Sequence, residues 1–106
     1  MSKLEDAAFK IISAAGDGKA QVTAALKEAR RGNFGQAEEC LKKADAKIME
    51  AHAMQTEEFL KKEAAGEIKE NLNVIVSHAQ DYVMTALVMK EMAEEMVHIY
   101  EQLRAK

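Results

Sequence analysis

Three histidines, one cysteine and eighteen carboxylates are the groups in this 106-residue chain best suited to carry chemistry. His52 and His98 have no polar cluster around them in sequence, and read as solvated or hydrogen-bonded residues without a role. Cys40, between Glu39 and Leu41, reads as a small packed residue rather than a reactive thiol. His78 is different. Ser77, Gln80, Asp81 and Thr85 crowd the same turns of an otherwise apolar stretch, and polar groups on a packed face cost free energy unless they are paired or used. The chain has no Ser or Cys nucleophile at recognisable spacing, no glycine-rich phosphate loop and no His-Glu-x-x-His pair. His78 and Asp81 alone are a weak zinc signal. An imidazole can itself be a covalent nucleophile, and phosphoryl transfer onto it requires mainly positioning and charge stabilisation.

The elements that must position His78 are helices. The chain has no proline or tryptophan, and it is rich in Ala, Leu, Met, Glu, Lys and Gln, all good helix formers. Strand-forming residues are scarce, which excludes a β-sandwich or barrel, and no Val/Ile run between glycine turns suggests an α/β fold. Arg31-Gly32-Asn33-Phe34-Gly35 is the clearest break: Gly32 suits the position past a helix end, and Asn33 with Gln36 reads as a capping box. A second break falls at Ala64-Ala65-Gly66-Glu67. Gly16 and Gly18 do not interrupt the stripe Leu4, Ala8, Ile11, Ala15, Val22, Ala25, Ala29, so a single helix is predicted across them. The expected fold is all-α: one domain over 1–106, an antiparallel up-down-up three-helix bundle with helices at about 4–30, 34–64 and 67–104.

The second helix carries the stripe Phe34, Ala37, Leu41, Ala44, Ile48, Ala51, Gln55, Phe59. The third carries Ile68, Leu72, Ile75, Ala79, Tyr82, Ala86, Met89, Ala93, Met96, Tyr100 and Leu103 as its seam. Beside that seam runs another: Val74, His78, Asp81, Thr85, Val88, Met92, Glu95 and Ile99. A helix in an isolated bundle needs one apolar face, so the second predicts packing against another subunit. Under cyclic symmetry, copies of Asp81 would converge near the axis, and a shared cation would relieve their repulsion.

Fifteen basic residues against eighteen acidic ones give a net charge of −3 with both signs interspersed. That argues against a nucleic-acid or anionic-membrane partner, which requires a basic patch. One cysteine cannot form an internal disulfide. No apolar run approaches the roughly 20 residues of a bilayer span, and the first residues show no signal-peptide core. The expectation is a cytoplasmic protein with no membrane insertion.

The segment Val76-Ser77-His78-Ala79-Gln80-Asp81-Tyr82-Val83-Met84-Thr85 resembles the active-site signature of the enzyme IIA components of lactose/cellobiose (N,N′-diacetylchitobiose) type in the bacterial phosphoenolpyruvate-dependent sugar phosphotransferase system. Ala24–Ala29, the Gly32-Asn33-Phe34 break and Ala51-His52-Ala53-Met54-Gln55-Thr56 resemble that family in the same order, so the likeness covers nearly the whole chain. The resemblance implies a homotrimer of three-helix bundles. It implies that His78 is transiently phosphorylated, on Nε2, by the phosphocarrier HPr and hands the group to a cysteine of the cognate enzyme IIB. The sugar implied is a β-linked disaccharide, cellobiose or chitobiose, with lactose behind it. Asp81 matches an aspartate that meets its symmetry mates around a divalent cation, magnesium, and Gln80 and Tyr82 are implied to line the site. Tyr82 stands where family members commonly have a second histidine; its phenol can replace a hydrogen bond but not a charge. Two other readings of the residues stay open here: a structural or adaptor bundle without covalent chemistry, and a metal-binding bundle whose Asp81 cluster is itself the function.

Overall fold

The computed structural model describes residues 2–69 and 73–105. Helix α1 (Lys3–Arg30) runs unbroken through both glycines. Helix α2 (Phe34–Gln55) continues through one wide π-helical turn (Thr56–Leu60) and a last α-helical turn (Lys61–Ala64). Helix α3 (Val74–Ala105) returns along both. The expected all-α, three-helix architecture is what the chain adopts, in a rod of 58 × 22 × 19 Å.

Glycine in the left-handed region ends the first two helices. Gly32 has φ +86° and Gly66 φ +72°. Around each, the two amides past the helix end fold back onto its last carbonyls: Gly32 to Ala29 and Asn33 to Glu28, Gly66 to Glu63 and Glu67 to Lys62. Arg104, at the far end of α3, donates to the Arg30 carbonyl and ties the two helix ends together (3.2 Å).

Two local expectations are corrected. Asn33 occupies the cap position of α2, but its side chain makes no capping bond and donates instead to Glu28 (2.9 Å). The third helix starts at Val74 rather than 67; Glu67–Lys69 are outside any helix. Its start is set by Asn73, whose side-chain oxygen accepts from the Val76 amide (3.1 Å) and satisfies a donor that would otherwise be orphaned. The expected seam position Leu72 lies outside the described residues.

The core is built on alanine. Ala8, Ala15 and Ala29 on α1, Ala37, Ala44 and Ala51 on α2, and Ala79, Ala86 and Ala93 on α3 are all buried at seven-residue multiples. Such layers keep one small side chain facing the neighbours turn after turn, so the helix axes can approach closely. Leu4, Ile11, Val22, Leu41, Ile48 and Phe59 fill the layers between. The stripes expected for α1 and α2 are buried, with Phe34 half-buried. On α3 the alanines hold, but Val76, Val83 and Val97 are the fully buried partners, while Ile75, Tyr82, Met89 and Tyr100 pack at the margin. Met96 and Leu103, expected in the seam, are exposed. The apolar surface of α3 is broad enough that the alternate layer is displaced by one residue.

Helix α1 packs along both other helices; α2 and α3 meet more sparsely. Gly18 explains the first intimacy: a Cβ there would lie 2.5 Å from Ile48 Cγ1 and 3.3 Å from the Ala44 carbonyl. Across the looser α2–α3 side, Lys90 reaches Asp45 at 2.6 Å with its side chain only 16% exposed. The hydrogen bond that Lys90 donates to the Asp45 carboxylate is the main cause that raises the Lys90 pKa above its ordinary value. No helix among the described residues is long and apolar enough to cross a membrane.

Two stability predictions follow from these contacts. Gly18→Ala should destabilise the bundle by about 1–3 kcal/mol through overpacking, whereas Gly35→Ala, with open space around it, should add about 0.5–1 kcal/mol, both read by urea unfolding. Asp45→Asn should cost about 1 kcal/mol near neutral pH. Because the folded state favours the charged lysine, that difference is fully present below the ordinary lysine pKa of 10.5 and closes as pH rises through the higher folded value.

Candidate functional site

The second stripe of α3 is open in the single chain. His78, Asp81, Thr85 and Glu95 are exposed, and so are Val74 (82%), Val88 (58%), Met92 (53%) and Ile99 (56%). The buried Ala79 and Val83 hold the opposite side of the same turns in the core. His78 and Asp81 therefore stand one turn apart on a rigid helix, facing away from their own bundle.

One neighbour of His78 is Tyr82, one turn on, its ring centroid 5.4 Å away and tilted by 31°. Tyr82 lies half-buried against α1, where Gly16 leaves room: a Cβ there would sit 3.6 Å from both Cε2 and Oη of the tyrosine. The hydroxyl end of the ring is thus against α1, and it is the ring that walls the imidazole. Lys19, also on α1, places its ammonium 3.6 Å from the Tyr82 ring centroid and donates to Thr85 Oγ1 at 2.8 Å. Thr85 in turn donates to the Tyr82 carbonyl (3.1 Å). Burial lowers the Lys19 pKa from its ordinary value. The site is thus a short relay across two helices: His78, Tyr82, Lys19, Thr85.

Residues 6–101 match the family described as the lactose/cellobiose-specific IIA subunit of the phosphotransferase system (PTS). The chain belongs to that family. It is 36% identical to the lactose-specific EIIA component of Streptococcus mutans over 94 residues, 89% of this chain and 88% of that one. The crystal structure of the PTS cellobiose-specific enzyme IIA from Bacillus anthracis superposes with a TM-score of 0.94 at 38% identity, covering 100% of this chain and 95% of that one. The IIA(chitobiose) in a complex with HPr from the Escherichia coli system superposes with a TM-score of 0.79 at 27% identity, covering 98% and 99%.

In this member of the IIA family the expected site residues are divided between two faces. His78, Asp81 and Thr85 share the open face, with Tyr82 at its edge. Gln80 lines a separate small cavity of about 120 Å³ with Leu4, Phe59, Leu60, Glu63, Ile68 and Val76. A residue two positions from His78 projects to another side of the helix. His98 is exposed and borders the groove between α2 and α3 with Glu38, Asp45 and Glu94. His52 is half-buried, its Nδ1 enclosed without a hydrogen-bond partner among the described residues, and Cys40 is half-buried and free. Lys19 had no signal of its own in the sequence. The nearest hint is the pair Gly16 and Gly18, whose missing side chains mark where other helices press on α1.

Proposed function

We propose that this PTS IIA subunit is a phosphocarrier that receives a phosphoryl group on His78 from phospho-HPr and passes it to a cysteine of its cognate enzyme IIB. The observation that carries this is the exposed imidazole of His78, held on a rigid helix of a chain that matches the IIA family over residues 6–101. A nucleophile that must meet its donor and its acceptor on the surfaces of other proteins is served by exposure, not by an enclosing pocket. The E. coli relative in complex with HPr supports the choice of donor. Nε2 of His78 attacks phosphorus while the nitrogen–phosphorus bond of the donor breaks and its electron pair returns to the donor imidazole. The ring proton released by His78 balances the one the donor ring regains. Transfer onward forms a sulfur–phosphorus bond on IIB as the His78 bond breaks, and the sugar that finally takes the group is a β-linked disaccharide of the cellobiose or chitobiose kind. The reaction places the protein in the cytoplasm.

The same reading accounts for the open stripe. Val74, Val88, Met92 and Ile99 are apolar side chains on the stripe of Asp81; a homotrimer that packs them around an axis would bury them, and the carrier role requires that His78 stay reachable at the edge of that contact. One chain offers no cluster of three metal-ligating groups among the described residues. A cation at the axis would therefore be held by the three copies of Asp81, an all-oxygen set that suits Mg²⁺ completed by water. Its role there is to offset carboxylate repulsion.

With phosphoenolpyruvate, enzyme I and HPr, the protein should acquire an acid-labile phosphate that His78→Ala abolishes; label on that variant at the wild-type level would refute the assignment. Asp81→Leu should keep the trimer without added metal, because apolar packing replaces mutually repelling charges. Monomers by light scattering for Asp81→Leu would remove Asp81 from the axis.

A further inference from the structure

We propose that Lys19 is the cation that serves the phosphoryl group of His78, brought to α3 from α1 and held there by Tyr82 and Thr85. The inference rests on reading His78 as the phosphoryl carrier.

A phosphohistidine brings about two negative charges to a helix face that already carries Asp81. Between Val74 and Met89 the helix that bears it has no lysine or arginine, and the first one beyond, Lys90, is engaged with Asp45 on α2. Lys19 is the cation that the bundle brings to this place. Its ammonium and the imidazole lie against the same tyrosine ring, at 3.6 Å and 5.4 Å from its centre, so they are no more than about 9 Å apart. Both partners of the ammonium are neutral, the ring and the Thr85 hydroxyl. Because that hydroxyl gives its proton to the Tyr82 carbonyl, its lone pairs are left to accept from Lys19.

A partly desolvated ammonium with no carboxylate paired to it among the described residues is costly on its own terms, as the downward push on its pKa shows. The cost is explained if an anion visits. Lysine suits the task because it is a compact charge on a flexible stem. It can rest on the ring while His78 is free, and turn toward the phosphoryl oxygens when His78 is loaded. A purely structural lysine would only hold α1 against α3, and two substitutions separate the roles. Lys19→Met keeps the stem and drops the charge; Lys19→Arg keeps the charge.

The test equilibrates the full-length protein with HPr, enzyme I and phosphoenolpyruvate, then measures the acid-labile phosphate on His78 and its lifetime after the donors are removed. Lys19→Met should shift the phosphoryl equilibrium toward HPr by about tenfold, and Lys19→Arg should recover most of that loss, while the thermal midpoints of the two variants stay close to each other. Lys19→Met within twofold of wild type, or Lys19→Arg as poor as Lys19→Met, would overturn the proposal. Should Lys19→Met lose its helical signal, Thr85→Val removes the acceptor and keeps the charge. Because that acceptor holds the ammonium in its resting position, Thr85→Val should give a smaller shift in the opposite direction, toward loaded His78, and no shift would again overturn the assignment. Wild-type protein that takes up no phosphate at all would instead refute the carrier reading beneath it.

Discussion

Close approach of helices through small side chains is the constraint on which the rest of this structure depends. Alanine at seven-residue multiples on all three helices, with Gly18 close against Ile48 and the Ala44 carbonyl of α2, brings α1 against α2 and α3 with few large core residues. A bundle assembled from bulky side chains would hold its axes further apart. Here the short separation lets Tyr82 lie on α1 at Gly16, and lets a lysine of α1 reach a threonine of α3. The site is a consequence of packing as much as of motif.

That packing also leaves α3 with surface to spare. Its buried residues, Val76, Ala79, Val83, Ala86, Ala93 and Val97, occupy one side. The opposite side is apolar too, interrupted by His78, Asp81, Thr85 and Glu95. In a chain of this size a contiguous exposed apolar stripe is the kind of surface that interaction sites use. The polar residues within it are therefore the ones for which a role must be found. His78 and Asp81 stand out because each is a polar group set among exposed apolar side chains.

Much of this was legible in the residue pattern, and the failures have physical causes. The stripes of α1 and α2 were readable because a single apolar face repeats with little ambiguity between flanking glycines. On α3 both sides are apolar, so periodicity locates the alanine layer but not its partners: it points to Tyr82, Met89 and Met96, whereas Val83 and Val97 are the buried residues. The start of α3 is not readable from the stripe because the apolar rhythm extends N-terminally past Asn73, whereas the capping bond of Asn73 sets the helix start at 74. His78 could be singled out from its polar neighbours in sequence. Lys19 could not, since its partners are about sixty residues away and only the fold brings them together.

A carrier has a requirement that a terminal acceptor does not: the group it accepts must also leave. A cation in direct contact with the phosphoryl oxygens at all times would deepen the loaded state and slow release, because charge-assisted hydrogen bonds are among the strongest available. No cation at all would leave two negative charges beside Asp81 and make loading unfavourable. An ammonium parked on an aromatic ring, one side chain removed from the imidazole, lies between these limits. The ring lowers the penalty of holding the charge, and the threonine hydroxyl fixes where it waits. On the proposed reading, the exposed histidine and the half-buried lysine would divide the work: one would present the reactive nitrogen to protein partners, while the other would tune how firmly the phosphoryl group is held during the interval between them.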